Sequence, residues 1–244
     1  MVFILNSSFE VLGTLSRLGT TNQVTPYFDD NHVEDLSTGA ETFTFSTFAG
    51  TREGLNIQLG NFVAFKVKNG YKLFQISEVI EEHGKEHTKT AYCETAGVEL
   101  INEIVRATSF PSANLKQILT YALQDTEFQV GKIDGAFADV HTIELKDPMK
   151  VYDFIQEYVV GLFGAEISYR VEIQGGRVVG KYIDCYAERG DFNGLRFEYS
   201  KNISKVKKTA DLTELATALV PQGKNGTTIK DAVASDKPKG QDWI

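Results

Sequence analysis

Cysteine, proline and tryptophan are scarce in this chain: its 244 residues include two, five and one of them. Two cysteines cannot supply the disulfide framework on which small secreted scaffolds depend. Cys93 and Cys185 both sit in apolar or alternating text, so they read as buried free thiols, small hydrophobes in a core. Positive charge is also short, with 25 Lys and Arg against 33 Asp and Glu and a formal net charge of −8. That balance argues against specific nucleic-acid binding, which wants a clustered basic face to release counterions from phosphates. No apolar run approaches the ~20 residues of a membrane span. The opening Met1-Val2-Phe3-Ile4-Leu5 lacks a basic flank and gives way to Asn6-Ser7-Ser8, which suits a first strand rather than a signal peptide. Synthesis in the cytosol is therefore expected. Phosphate cradles of the G-x-x-x-x-G-K-[ST] or G-x-G-x-x-G type and a G-x-S-x-G elbow are missing as well.

What the chain does have is aromatic residues that favour strands, with 16 Phe and 10 Tyr. Val2–Leu5 and Phe9–Leu15 flank a turn at Asn6-Ser7-Ser8, and Thr42-Phe43-Thr44-Phe45-Ser46 alternates at period two. Phe62–Val67 and Tyr71–Ile76 predict a hairpin across Lys68-Asn69-Gly70, with Asn-Gly supplying the two positive φ angles of a type I′ turn. Ile76–Ile80 and Thr88–Cys93, joined by the polar Glu81–His87, predict a further pair. Hairpin after hairpin points to a meander or small barrel.

From Ala96 the text changes. Val98, Leu100, Ile101, Ile104 and Val105 recur at helical spacing, and Leu115, Ile118, Leu119 and Ala122 share one face of a second helix. A third helix is expected to start at Asp147-Pro148, with Asp147 as cap, and to bury Val151, Phe154, Ile155, Tyr158, Val159 and Leu162 before stopping at Gly164. Ala165–Ile173 and Val178–Ala187 then form a hairpin across Gln174-Gly175-Gly176-Arg177. Strand-like text returns in Leu195–Tyr199 and Ile203–Lys208, and Asp211-Leu212-Thr213-Glu214 suits a capping box. From Gln222 few residues can be buried, so a loop or mobile segment is expected, and Trp243-Ile244 after it looks like a cut within a longer protein. The expected class is α+β and β-rich. Residues 1–95 plus 195–244 form a discontinuous barrel domain, and 96–194 an inserted α+β domain.

Candidate chemistry is thin. His83-Gly84-Lys85-Glu86-His87 matches the H-x-x-E-H zinc-peptidase pattern, which needs a helix to bring both imidazoles to one face. Gly84 and the strand-like flanks argue instead for a polar hairpin loop without metal. His32 and His141 are isolated. Asp29-Asp30-Asn31 and Asp184, Glu188 and Asp191 could attract calcium, yet without the twelve-residue loop pattern they read as solvated turns. Lys201, Lys205, Lys207 and Lys208 form the one basic cluster, suited to guarding a sheet edge or to an electrostatic subunit contact. No catalytic, cofactor-binding or metal site is assigned, and an enzyme is not expected in this segment.

Tyr71–Ile80 with its following hairpin, Thr95-Ala96-Gly97-Val98-Glu99-Leu100, and Tyr199-Ser200-Lys201-Asn202-Ile203 continuing to Thr217-Ala218-Leu219-Val220-Pro221-Gln222-Gly223-Lys224 carry a resemblance. Over roughly residues 1–224 the chain resembles the N-terminal hub region of the prophage endopeptidase tail family, the tail-associated lysins of siphophages. The resemblance implies a tail-hub barrel with an inserted domain, three copies forming a ring that continues the tail tube and closes its tip. It implies contact with a distal tail protein ring and the tape measure protein, a place in the virion, and passage of DNA without specific binding. Host-wall-degrading domains would follow residue 244. Two other readings are a zinc-dependent cell-wall peptidase using His83 and His87, and a carbohydrate-binding surface module, which a β-rich, aromatic chain also permits.

Overall fold

A computed structural model describes residues 1–17, 24–190, 194, 196–198, 201–203, 205–209, 218–219 and 233–234. The chain divides into two units, Met1–Gly190 and Asp191–Ile244.

The first unit begins as a barrel. Its strands are β1 (Val2–Leu5), β2 (Val11–Ser16), β3 (Thr25–Glu34), β4 (Glu41–Phe48), β5 (Phe62–Val67), β6 (Gly70–His83) and β7 (His87–Thr95), with the one-turn helix α1 (Arg52–Leu55) between β4 and β5. They pair in the order β6-β5-β1-β2-β3-β4-β7, and β7 pairs back onto β6, so the barrel closes with seven strands. Every pairing is antiparallel except the two-residue parallel contact of β2 with β3, Leu15 with Thr25 and Ser16 with Pro26. Alternation decides which side chains enter. Val2, Ile4, Phe43, Phe45, Val63, Phe74, Ile76, Ala91 and Cys93 form one apolar cluster, the filling of the barrel. Their neighbours Leu5, Phe62, Ala64 and Leu73 face the other way into a second cluster. Strands buried on both faces read as continuous apolar runs, which is why Val2-Phe3-Ile4-Leu5 and Phe62-Val63-Ala64-Phe65 do not alternate.

The second cluster is covered by the residues that follow. A 3₁₀ turn (Ala96–Ile101) leads to β8 (Ile104–Val105), β9 (Thr108–Asn114), α2 (Leu115–Leu123), β10 (Phe128–Ile133), β11 (Val140–Leu145), β12 (Met149–Lys150), α3 (Val151–Phe154), β13 (Glu166–Gln174) and β14 (Arg177–Tyr186). β13 joins the barrel wall where Val171 pairs with Tyr71 on β6, and β14 and β10 extend the sheet to ten strands. α2 buries Leu115, Ile118, Leu119 and Ala122 as their spacing predicts, and Asn114 and Gln117 close a capping box at its start. The β-rich α+β class, a barrel accompanied by an α+β layer, is as expected from the sequence.

Several local expectations need correction. The first helical pattern becomes the 3₁₀ turn and β8, because Val105 is drawn into a pair with Met149. That pair also displaces the third helix: Met149-Lys150 are extended, Lys150 precedes the first turn without a side-chain cap bond, and Asp147-Pro148 lie outside. The helix continues past α3 as a π-helix over Ile155–Leu162, and Gly164 ends it at φ +65°. Tyr158 is half-buried and Leu162 exposed, so the stripe is narrower than its spacing implied.

Both hairpins form, but the type I′ geometry moves. Among the described non-glycine residues only Phe9 and Asp29 have positive φ, so Asn69 does not, and the turn is Lys68-Asn69 between paired Val67 and Gly70. Gly70 has φ +139°, and a Cβ there would lie 2.9 Å from the Arg170 side chain and 3.1 Å from the Val171 carbonyl. Glycine is needed because β13 approaches at that point. Two successive positive angles occur instead at Gly175 and Gly176, φ +58° and +76°, between β13 and β14. Asp29-Asp30-Asn31 is not a turn either. It is a bulge within β3, where Asp29 has φ +51°.

In the second unit Ala218–Leu219 pairs with Val233–Ala234. Asn202 accepts a bond from the Glu198 N–H and donates to the Arg196 carbonyl, and Lys201 pairs with Glu198. Residues 196–198 and 205–208 are not in strands. Leu195, Tyr199, the expected capping box at 211–214 and most of the segment from Gln222 lie outside the described residues.

Candidate functional site

The alternation that fills the barrel with apolar side chains also carries two charged ones inside. On β4, Glu41 is in phase with Phe43 and Phe45. On β6, Lys72 is in phase with Phe74 and Ile76. Their side chains are 0% and 7% exposed and form an ion pair. Lys72 Nζ also donates to Ser168 Oγ at 2.9 Å on β13 and lies 3.3 Å from Glu34 Oε1 on β3. Arg189 completes the set: Nη2 donates to Glu34 Oε1 at 3.0 Å and Nη1 to the Ile167 carbonyl at 3.1 Å. A buried ammonium needs such company, since desolvation of one unpaired charge costs several kcal/mol. The network latches the barrel to the α+β layer. Burial pushes the Glu34 carboxyl upward, but Lys72 and Arg189 outweigh it and hold it below the usual range.

His32, isolated in the sequence, meets this latch. Its Nε2 lies 3.6 Å from Glu41 Oε2, an oxygen with no hydrogen-bond partner. The ring stands edge-on to Phe43, Phe65 and Phe74 at centroid distances of 6.5, 5.1 and 5.6 Å. His32 also lines an open hollow of about 370 Å³, together with Phe3, Tyr27, Asp30, Phe65 and Tyr71 among others. His141 is far simpler, edge-on to Phe163 at 4.7 Å.

Asp184 is not the solvated group its sequence context suggested. It is 2% exposed; Oδ2 accepts from Arg170 Nε at 2.8 Å and Oδ1 from the Lys132 N–H at 2.7 Å. Glu188 is exposed, and Asp191 lies outside the described residues. A comparable knot surrounds Lys181, which reaches Glu99 and Glu127 at 2.6 and 2.8 Å and the Phe9 ring at 4.0 Å. Both cysteines are buried and free, and burial raises each thiol, Cys185 to about 12, which favours the protonated thiol over the thiolate.

His83 and His87 stand on strand ends rather than in a loop or helix. They oppose each other across Gly84-Lys85-Glu86 with ring centroids 3.8 Å apart. Glu86, the acid of the H-x-x-E-H pattern, is not grouped with them; Glu81 is, with Oε1 2.5 Å from His87 Nε2 and 3.8 Å from His83 Nε2. This lacks the helical arrangement by which that pattern sets a glutamate beside metal-bound water. Lys205, Lys207 and Lys208 are exposed, without the strand expected to align them.

No family model and no curated protein matches the chain in sequence. Solved structures do match. A prophage tail protein gp18 from Listeria monocytogenes EGD-e is similar over 97% of this chain and 67% of its own, with TM-score 0.57 and 14% identity. The 43 kDa tail protein of prophage MuSo2 from Shewanella oneidensis is similar over 84% and 62%, with TM-score 0.55 and 10% identity. The chain thus spans about two thirds of their length and has the fold of phage tail proteins. At such identity the likeness is one of fold, and the lysin family of the sequence resemblance is a narrower matter.

Proposed function

We propose that this chain is a structural component of a bacteriophage tail tip or baseplate, three copies of which form a hub that closes or extends the tail tube. The observation that carries this reading is the fold shared with a prophage tail protein along 97% of the chain. In this reading the barrel of residues 1–95 is the hub body, 195–244 returns to it, and the α+β layer of 96–194 is its insert. Among the described residues β10 ends the ten-stranded sheet, and in this reading that edge pairs with a strand of a neighbouring subunit. A distal tail protein ring and the tape measure protein are its neighbours, and host-wall-degrading domains are anchored downstream of residue 244. The net charge of −8 suits a channel that passes DNA without holding it. The segment itself is not an enzyme, and the virion is where it acts. The charged latch has the role that a ring-former needs: it holds barrel and layer as one body under axial load.

The test combines light scattering of the full chain across a concentration series with antibody labelling of purified tails. A mass approaching three chains at high concentration and label at the tail tip are expected. Labelling elsewhere on the particle, or a stable dimer, would count against the hub.

A further inference from the structure

The outer half of β6 carries an arrangement that the tail reading does not use. Glu81 and His83 are two residues apart and so share one face of the strand, and His87 is the residue directly opposite His83 on β7. The nitrogen and oxygen donors of these three side chains all lie within 4.8 Å of one another. We propose that Glu81, His83 and His87 bind one divalent transition-metal ion of the zinc class at the end of the β6–β7 hairpin.

The donor set selects the metal. Two imidazoles and one carboxylate suit Zn²⁺, Co²⁺ or Ni²⁺, whereas Ca²⁺ and Mg²⁺ take oxygen. A tetrahedral ion with bonds of roughly 2.0–2.1 Å needs its donors about 3.3 Å apart. Glu81 Oε1 lies 2.5 Å from one imidazole Nε2 and 3.8 Å from the other, and because the two rings are stacked at 24°, one of them must turn about its side-chain bonds before both lone pairs face one ion. The side chains are free to turn, being 42%, 74% and 39% exposed for Glu81, His83 and His87. Lys89, the cation opposite Glu81, does not occupy the centre. Its Nζ donates to the carbonyls of Gly54 and Ile57 at 3.3 Å and lies 3.8 Å from the far oxygen, Glu81 Oε2. Binding needs both Nε2 lone pairs, so the ion replaces the Nε2 proton, which solvent returns to Nδ1. A strand pair thereby supplies the two histidine ligands that the H-x-x-E-H pattern supplies from a helix, with Glu81 as a third ligand. Three protein donors leave a fourth position for water or a group from another chain, and the ion ties the last cross-strand pair together.

Titration of the tag-free full chain with Co²⁺ at about pH 7.5, where imidazole is mostly neutral, tests this through the visible absorption of tetrahedral Co²⁺. One equivalent is expected to saturate the signal, zinc to erase it, and His83→Ala or His87→Ala each to weaken binding at least tenfold. His141→Ala is expected to leave it unchanged. The tip is exposed, so the variants keep the circular dichroism of the parent. Absence of saturable binding overturns the proposal, and so does binding that survives the double variant His83→Ala/His87→Ala.

Discussion

β6 is one strand with two characters. Its inner half, Gly70–Ile76, lies between β5 and the barrel filling and meets β13 at Tyr71, and Lys72, Leu73, Phe74 and Ile76 are buried there. Its outer half, Ser77–His83, has left β5 and among the described residues pairs with β7 alone, and all of it but Val79 is exposed. The inner half is wall and latch, where each side chain is fixed by neighbours on both faces. The outer half is display, where glutamates and histidines are held by strand pairing and by contacts among themselves and with Lys89. One strand can therefore be rigid and buried at its base while offering ligands at its end.

The sharpest way to break this contrast is Phe74→Ala in the inner half. The ring is fully buried among Phe43, Phe65 and His32, and its loss is expected to cost about 3–5 kcal/mol in urea unfolding. Lys72→Met comes next, at about 3 kcal/mol, because Glu41 then stays buried without its cation. The double variant Lys72→Met/Glu41→Leu is expected to recover much of that, which separates a stranded charge from lost packing.

The latch also sets a response to acid. Glu34 is held below the ordinary carboxylate range in the fold, so its contribution is present above that range and is lost as pH falls through its lower native value. Unfolding measured from neutral pH downward is expected to show a decline that flattens in Lys72→Met. A decline of equal slope in that variant would place the acid response elsewhere.

Much of the inner half was legible from sequence. Phe62–Val67 and Tyr71–Ile76 do form a hairpin, and the run Val2–Leu5 is a strand, paired between β5 and β2. The latch was missed, although a signal existed: Glu41 and Lys72 fall in phase with Phe43, Phe45, Phe74 and Ile76, and a lone charge on an inward phase must find a partner. Its other members, Ser168 and Arg189, come from sequence far away, and only the meeting of β6 with β13 brings them in. The helix expected at Asp147-Pro148 failed for the same kind of reason, since pairing of Met149 with Val105 overrode a good local start signal. The H-x-x-E-H spacing did not show that Glu81, and not Glu86, stands beside His83 and His87, because one-dimensional spacing does not reveal which residues a hairpin places side by side.

Smaller effects follow at the joint and the tip. Gly70→Ala, at φ +139° and against Arg170 and Val171, is expected to cost about 1–3 kcal/mol, read as a lowered urea midpoint. His83→Ala and His87→Ala without metal are expected to stay within about 0.5 kcal/mol of the parent. A large loss at either histidine would mean that the outer half is part of the wall after all.

The tail-hub reading itself meets its most direct test in an electron cryo-microscopy reconstruction of the assembled particle at subunit resolution. Three copies of this chain are expected around an axis continuous with the tail tube, with the barrel and its α+β layer both within the ring. Copies placed off that axis, or arranged with any symmetry other than three-fold, would contradict it.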